Sequence, residues 1–596
     1  MSLEDAQVVR ARPQTLTGLL QAAGPTVGRL LSIRRRQPAL ATAGGSLAVQ
    51  PAALGTDAAV EQERPARPAR AVALRVLTLT DLHGALLTAG ERDGRPLGGV
   101  AYLAAYLAKE RAARPGRTLF LHNGDAVGMT PAISGLLQDE PTVAVLNAIG
   151  CDAGALGDHE LDEGLDELFR LLDGGAHPTT LLRSGSFLGS GFPWLAANVL
   201  SEASGHPILP AYWVFDLAGV RVGVIGVVTA ETPRLIGGGA RGLRFADEAA
   251  TVNRYTAELR DGPERASVIV VLAHLGGTTA QPGQTTGPIG GPMARFAAAL
   301  DERVDVVIGG DLHAHSYVAT VSGRLVVQGP PYGAALGVVD LTVDPDERRV
   351  IGRSARLLPI WQDAIEPDPA IAELVGGVQR LAASFGAEPV ATSAQPLLRQ
   401  PGDDPDVPPL GELVARAFQQ SADADLAVVH PGEIRADLPA GHLTRAHVYA
   451  VLPGGHSLVT VRLSGDQIRR LLEEQWTKTR TSRLYLSGLV AEVAPEAPIG
   501  QRVRSLRLAG GAALERGRAY AVAMTDFLAG GGDGFRTPLA GTERTRGSLA
   551  VDALVAYLRK HPEPLTSDRA TAPPVPPTSP RTSPPSSQAP TRPAAL

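Results

Sequence analysis

The chain has 596 residues, 44% of them hydrophobic and 4% aromatic, with one cysteine and a formal net charge of -5. That length exceeds one compact domain and fits two plus tails. The charge excludes a broad basic surface for nucleic acid. The lone Cys151 excludes an intrachain disulfide framework or cysteine-cluster metal site, and no run of about 18 apolar residues offers a spanning helix.

Near the N-terminus, Arg34-Arg35-Arg36 precedes small, weakly apolar residues at 39–49 and then Ala52-Ala53-Leu54. A basic pair, a mild hydrophobic region and small residues follow one another in twin-arginine export signals. Residues 1–70 are therefore expected to hold a leader and, over 57–70, a linker. Export would place the protein in the periplasm, the cell envelope or outside the cell; without a working signal it stays cytoplasmic.

From Val72 short apolar runs alternate with helical patterns. The stretches at 72–79, 118–121, 194–199, 220–228, 266–272, 304–309, 324–328 and 337–343 read as strands, and 98–111 as an amphipathic helix. Glu140-Pro141 marks a helix start. Cys151 falls at a helix-to-strand junction and reads as a buried small residue. Residues 371–385 read as a helix joining two halves, followed by a second alternating α/β run with a helix at 467–476. The Pro/Ser-rich residues 563–596 are expected to be disordered.

Chemistry concentrates where the strands end. Asp81 and His83 follow the first run, Asp125 the second, Asp158 and His159 the approach at 153–156, His274 the run at 266–272, and His313 and His315 the run at 304–309. Aspartates and histidines at the carboxyl ends of buried strands converge on the crevice where α/β sheets bind ligands. A donor set of oxygen and imidazole nitrogen alone suits a divalent Mn, Zn, Mg or Fe ion. There are enough ligands for two ions, with Asp125 the natural bridge. Two such ions would activate a water for in-line attack on phosphorus. His122, beside the Gly124-Asp125 pair, reads as structural.

The ordered blocks Asp81-Leu82-His83, Gly124-Asp125, Gly157-Asp158-His159-Glu160, His274 and His313-Ala314-His315 resemble the calcineurin-like metallophosphoesterases. The span from Val72 to about Lys560 resembles the bacterial 5'-nucleotidase / UDP-sugar hydrolase / 2',3'-cyclic phosphodiesterase family. Its C-terminal signatures are Ile434-Arg435 and Phe527-Leu528-Ala529-Gly530-Gly531-Gly532-Asp533. This implies an α/β (α+β) chain: a four-layer α/β/β/α metallophosphoesterase sandwich at 71–360, a linker helix at 361–387 and an α/β nucleotidase domain at 388–562. It also implies two divalent ions and a small-molecule nucleotide or related phosphoester as substrate. Nothing in the sequence specifies self-association.

The resemblance implies roles residue by residue. Asp81, His83, Asp125 and His315 would bind one ion, and Asp125, Asp158, His274 and His313 the other. His159, oriented by Asp162, would stabilise charge on the transferring phosphoryl group or protonate the leaving oxygen. In the second domain Arg435 would contact phosphate, Phe527 would stack on the base and Asp533 would hold the ribose.

The sequence departs from the family at several points. Asp158 stands where the family has asparagine, and His430-Pro431-Gly432-Glu433 stands before Ile434-Arg435 where the family has Asn-x-Gly-Gly. Arg483 occupies the place of a base-clamping phenylalanine, and it reads equally as a stacking group or a surface arginine. The alternatives to a dinuclear phosphoesterase are a catalytically weak nucleotide-binding surface protein and a thiosulfohydrolase-like relative.

Overall fold

Leu74 and Val76 of one strand and Val268, Val270 and Leu272 of another share a single buried cluster, which lies between two facing β-sheets. In this computed structural model the described residues are 59–61 and 70–561, less 179, 182–184, 281–284, 314, 400–409, 454 and 478–480. The expected leader and the C-terminal tail lie outside them.

Three parallel strands form the heart of the first sheet: β1 (Val72–Leu79), β2 (Thr118–Asn123) and β3 (Ala153–Ala155). The second sheet is built on parallel β4 (Val220–Val228), β5 (Val268–His274) and β6 (Val306–Ile308). Strand periodicity of two divides each strand between two cores. Along β5, Val268, Val270 and Leu272 face the other sheet, while Ile269, Val271 and Ala273 pack beneath the helices Glu248–Asp261 and Gly291–Ala299. Leu77 and Leu79 of β1 pack outward against the cluster of Val100–Ala113 and Glu140–Ala148. Helix, sheet, sheet and helix thus give four layers, each closed by apolar burial worth roughly 1.5–3 kcal/mol per large side chain.

The 57–70 stretch differs in part from a plain linker. Ala59–Glu61 pairs antiparallel with Arg349–Pro359 at the edge of the first sheet. Two edge strands of the second sheet, Tyr212–Leu217 and Tyr317–Val321, escape the apolar-run criterion. The first is partly exposed and carries a mixed pattern, and the second is a short run following the histidine loop.

The helix Pro369–Gly386 starts on Asp368, whose carboxylate accepts from Ala370 and Ile371 N–H, with proline at the first helical position. Its Ile371, Val375 and Val378 enter the first-domain core, and Gly386 lies against Ala446 beyond it. A five-stranded sheet follows, with the order Tyr485–Ser487, Leu426–Val429, Ala519–Thr525, Ser457–Ser464 and Thr542–Leu549. The two halves also meet where Tyr449 packs on Gly135 and Glu163 packs on Gly455. No helix among the described residues is long and apolar enough to cross a membrane.

Candidate metal centre

The parallel strands β1, β2 and β3 each release a carboxylate at the same end: Asp81 beyond β1, Asp125 beyond β2 and Asp158 beyond β3. His274 closes β5 in the phase of Val270 and Leu272, so its ring faces the first sheet. Asp81, His83 and Asp125 sit at φ of 52°, 43° and 52°, left-handed conformations that non-glycine residues rarely hold without tertiary support. That support is visible. Glu160 accepts backbone N–H bonds from Asp125 (3.0 Å), Ala126 (2.7 Å) and Gly157 (2.6 Å), tying the β2 and β3 loops together. At Gly157 the loops approach so closely that a Cβ would lie 2.0 Å from Asp125 Oδ1.

Two overlapping ligand groups result. Asp81, His83, Asp125 and His313 form one, Asp125, Asp158 and His274 the other, with the donor atoms of each group within 4.8 Å of one another. His274 Nε2 lies 3.2 Å from Asp125 Oδ2 and 3.4 Å from Asp158 Oδ1. His83 Nε2 lies 3.5 Å from Asp125 Oδ2 and 3.2 Å from His313 Nε2. Asp81, Asp125 and Asp158 are buried together, and His274 Nε2 and Asp158 Oδ1 make no hydrogen bond among the described residues. Buried polar atoms left in that state ordinarily have a partner. A hard or borderline divalent cation fits this oxygen and nitrogen set.

Two expectations meet a different geometry. His313, expected in the second group, joins the first. His315, expected in the first group, is in neither group, and its Nδ1 lies 3.3 Å from Thr279 N and 3.0 Å from Thr279 Oγ1.

His159 is half-buried at the rim, with Nδ1 2.8 Å from Asp162 Oδ2 and its ring 5.1 Å from that of His83. Burial alone would lower its pKa. The Asp162, Asp125 and Asp158 carboxylates outweigh burial and hold it well above the usual imidazole value. His122 is fully buried against Trp194, and burial pushes it down to about 3, as suits a structural histidine. The Cys151 thiol is likewise buried and pushed upward.

In the second domain Arg435 is exposed, and Phe527 lies with its ring 5.8 Å from His430 and 5.9 Å from His456. Asp533 is held by His430, whose Nε2 is 3.2 Å from Asp533 Oδ2. Arg483 is exposed, while its neighbour Tyr485 packs on Gly411 and donates to the Arg399 carbonyl. A cavity of about 390 Å³ opens between the halves, lined by Asp162, Arg241, Asp526 and Arg544 among others.

Three residues here are absent from the strand-end pattern. Glu160 staples two loops. His456 bonds Asp526, with Nδ1 to Oδ1 at 3.0 Å. Tyr332 stands over His83 and His313, with ring centroids 5.9 and 5.3 Å away. Glu160 stands inside the Gly157–Glu160 block, whereas His456 and Tyr332 carry no local signal because each acts on a partner farther along the chain.

Two facing sheets carrying aspartates and histidines at their carboxyl ends, joined to a second α/β domain, give this chain a two-domain calcineurin-like fold. Residues 389–540 match the 5'-nucleotidase C-terminal domain. The chain is 32% identical over 515 residues to the endonuclease YhcR of Bacillus subtilis, covering 85% of this chain and 41% of that protein. It is 31% identical over 508 residues to the cell wall protein Lmo0130 of Listeria monocytogenes, covering 78% and 64%. Against a 5'-nucleotidase of Vibrio cholerae the identity is 26% over 470 residues, covering 71% and 78%. The chain thus spans less than two thirds of the length of the first two relatives. The 5'-nucleotidase precursor of Thermus thermophilus shares the fold with a TM-score of 0.59 at 24% identity, over 82% of this chain and 97% of that one. Along both of its domains the chain is thus similar to 5'-nucleotidases.

Proposed function

We propose that this chain is a metal-dependent phosphoesterase acting on nucleotides, with two divalent ions held in the overlapping groups that share Asp125. The observation that carries this reading is the shared carboxylate: Asp125 Oδ2 lies within 3.5 Å of both His83 Nε2 and His274 Nε2. Bound there, divalent ions neutralise phosphoryl oxygens and make a water acidic enough to act as a nucleophile.

The remaining chemistry belongs to side chains. His159 is oriented through Nδ1 by Asp162, whose carboxylate favours its cationic form. It is suited to stabilising the phosphoryl charge and to giving a proton to the leaving oxygen. Arg435, Phe527 and Asp533 are the proposed substrate contacts of the second domain, with Arg483 a further candidate at its exposed edge. The cell-wall designation of one relative and the arginine-pair leader support export.

A phosphodiester is the second reading, supported by the relative that is named an endonuclease. One panel separates the two: phosphate release from AMP, ADP, UDP-glucose and 2',3'-cyclic AMP (the last with added phosphatase), beside cleavage of a single-stranded oligonucleotide, each with manganese or EDTA. Manganese-dependent release from the mononucleotides supports the first reading, and cleavage of the oligonucleotide alone supports the second. No turnover by a manganese-loaded chain would overturn both in favour of a binding protein.

A further inference from the structure

Three histidines present Nε2 to the ligand groups, and each needs its Nδ1 to carry a proton so that Nε2 keeps a lone pair. His83 Nδ1 lies 2.8 Å from the Gly128 carbonyl oxygen, and His274 Nδ1 lies 2.8 Å from the Asn123 carbonyl oxygen. A carbonyl can only accept, so these two tautomers are fixed by the backbone. His313 is different. Its Nδ1 lies 3.2 Å from the Tyr332 hydroxyl, a group that both accepts and donates.

We propose that Tyr332 is a positioning residue of the metal centre: its hydroxyl accepts the His313 Nδ1–H, and its own proton is thereby turned into the cleft as a donor to the substrate's phosphoryl oxygen. The inference rests on the phosphoesterase reading above and adds a residue to it.

Three further features of Tyr332 support this. Its backbone has φ of 62°, a left-handed conformation that is strained for an aromatic residue. The strained turn lets its N–H donate to the Asp81 carbonyl at 2.8 Å, binding the Pro330-Pro331-Tyr332 turn to the first ligand loop. Its side chain is not sealed in the core: Tyr332 is 40% exposed, with its ring beside those of His83 and His313. An exposed phenol that accepts from His313 has its acceptor role used and its own proton left to donate to an anion.

The test uses Tyr332→Phe in the full chain, which keeps the ring contacts and removes only the hydroxyl. Manganese affinity is measured by calorimetry after stripping with EDTA, and inhibition by inorganic phosphate is measured at saturating manganese. The expected result is a loss of about 10–100-fold in affinity for the ion near His313 with unchanged circular dichroism, together with phosphate inhibition weakened several-fold. Unchanged manganese affinity in the folded variant would overturn the orienting role, and unchanged phosphate inhibition would overturn the donor role. A wild-type chain that binds no manganese would defeat the metal-centre reading itself, a result distinct from either.

Discussion

His274 Nε2 lies 3.2 Å from Asp125 Oδ2, and the two residues come from opposite sheets. The contact closes the space between the sheets at the end where the strands release their ligands. Asp125 reaches both ligand groups, whereas His274 belongs to one. Asp125→Ala should therefore abolish manganese binding at both positions, while His274→Ala should leave one ion. Metal stoichiometry after gel filtration decides this, and equal stoichiometry in the two variants would sink the shared-carboxylate reading.

His159 touches the site through its ring but is absent from both ligand groups. His159→Ala should retain manganese and lose turnover by about a hundred-fold or more. Asp162→Asn should fall in the same direction by less, since the ring then loses its anionic partner and keeps its place. Turnover that survives His159→Ala would remove this residue from the mechanism.

Gly157 has no room for a side chain: a Cβ there would lie 2.0 Å from Asp125 Oδ1 and 2.6 Å from Asp125 N. Gly157→Ala should push the shared carboxylate out of register at a cost of roughly 1–3 kcal/mol. The expected signature is a lower melting temperature together with weakened manganese binding. A variant that melts lower yet binds manganese normally would show that the strain relaxes elsewhere.

The His430–Asp533 contact at 3.2 Å occupies the acid assigned to the ribose. His430→Asn should release it, lowering KM for AMP by up to about fivefold, the scale of one partly exposed ion pair, with kcat little changed. A raised KM would show instead that His430 itself contacts the nucleotide.

His456 supplies a pH signature away from the metal ligands. Burial lowers its pKa, but the bond to Asp526 and the Asp162 and Glu433 carboxylates outweigh burial and raise it to about 9. A folded value above the unfolded 6.5 means a stabilising contribution that is complete below about pH 6.5 and is lost as pH rises through about 9. Denaturant unfolding of wild type and His456→Asn should therefore differ most near pH 6 and converge above pH 9. A difference that does not shrink with pH would exclude a titrating His456.

Much of the fold was open to inspection in the chain itself, because its strands are long apolar runs whose ends carry aspartate or histidine. Edge strands such as Tyr212–Leu217 escaped that criterion, since one face meets solvent and the apolar run breaks up. In the second domain the sequence placed Phe527 and Asp533 near a ligand, yet His430 and His456 are the residues packed around them.

The identity of the ligating side chains and the strand ends that bear them follow from local sequence, because strand periodicity and a buried strand's carboxyl end are properties of a few neighbouring residues. Which imidazole meets which carboxylate does not. His83 and His313 approach across 230 positions of sequence, and the His274 ring is oriented by a carbonyl 151 positions away. Such pairings depend on how two sheets stack and on turns held in strained conformations. The tertiary structure therefore groups His313 with Asp81, His83 and Asp125, and places Tyr332 beside it.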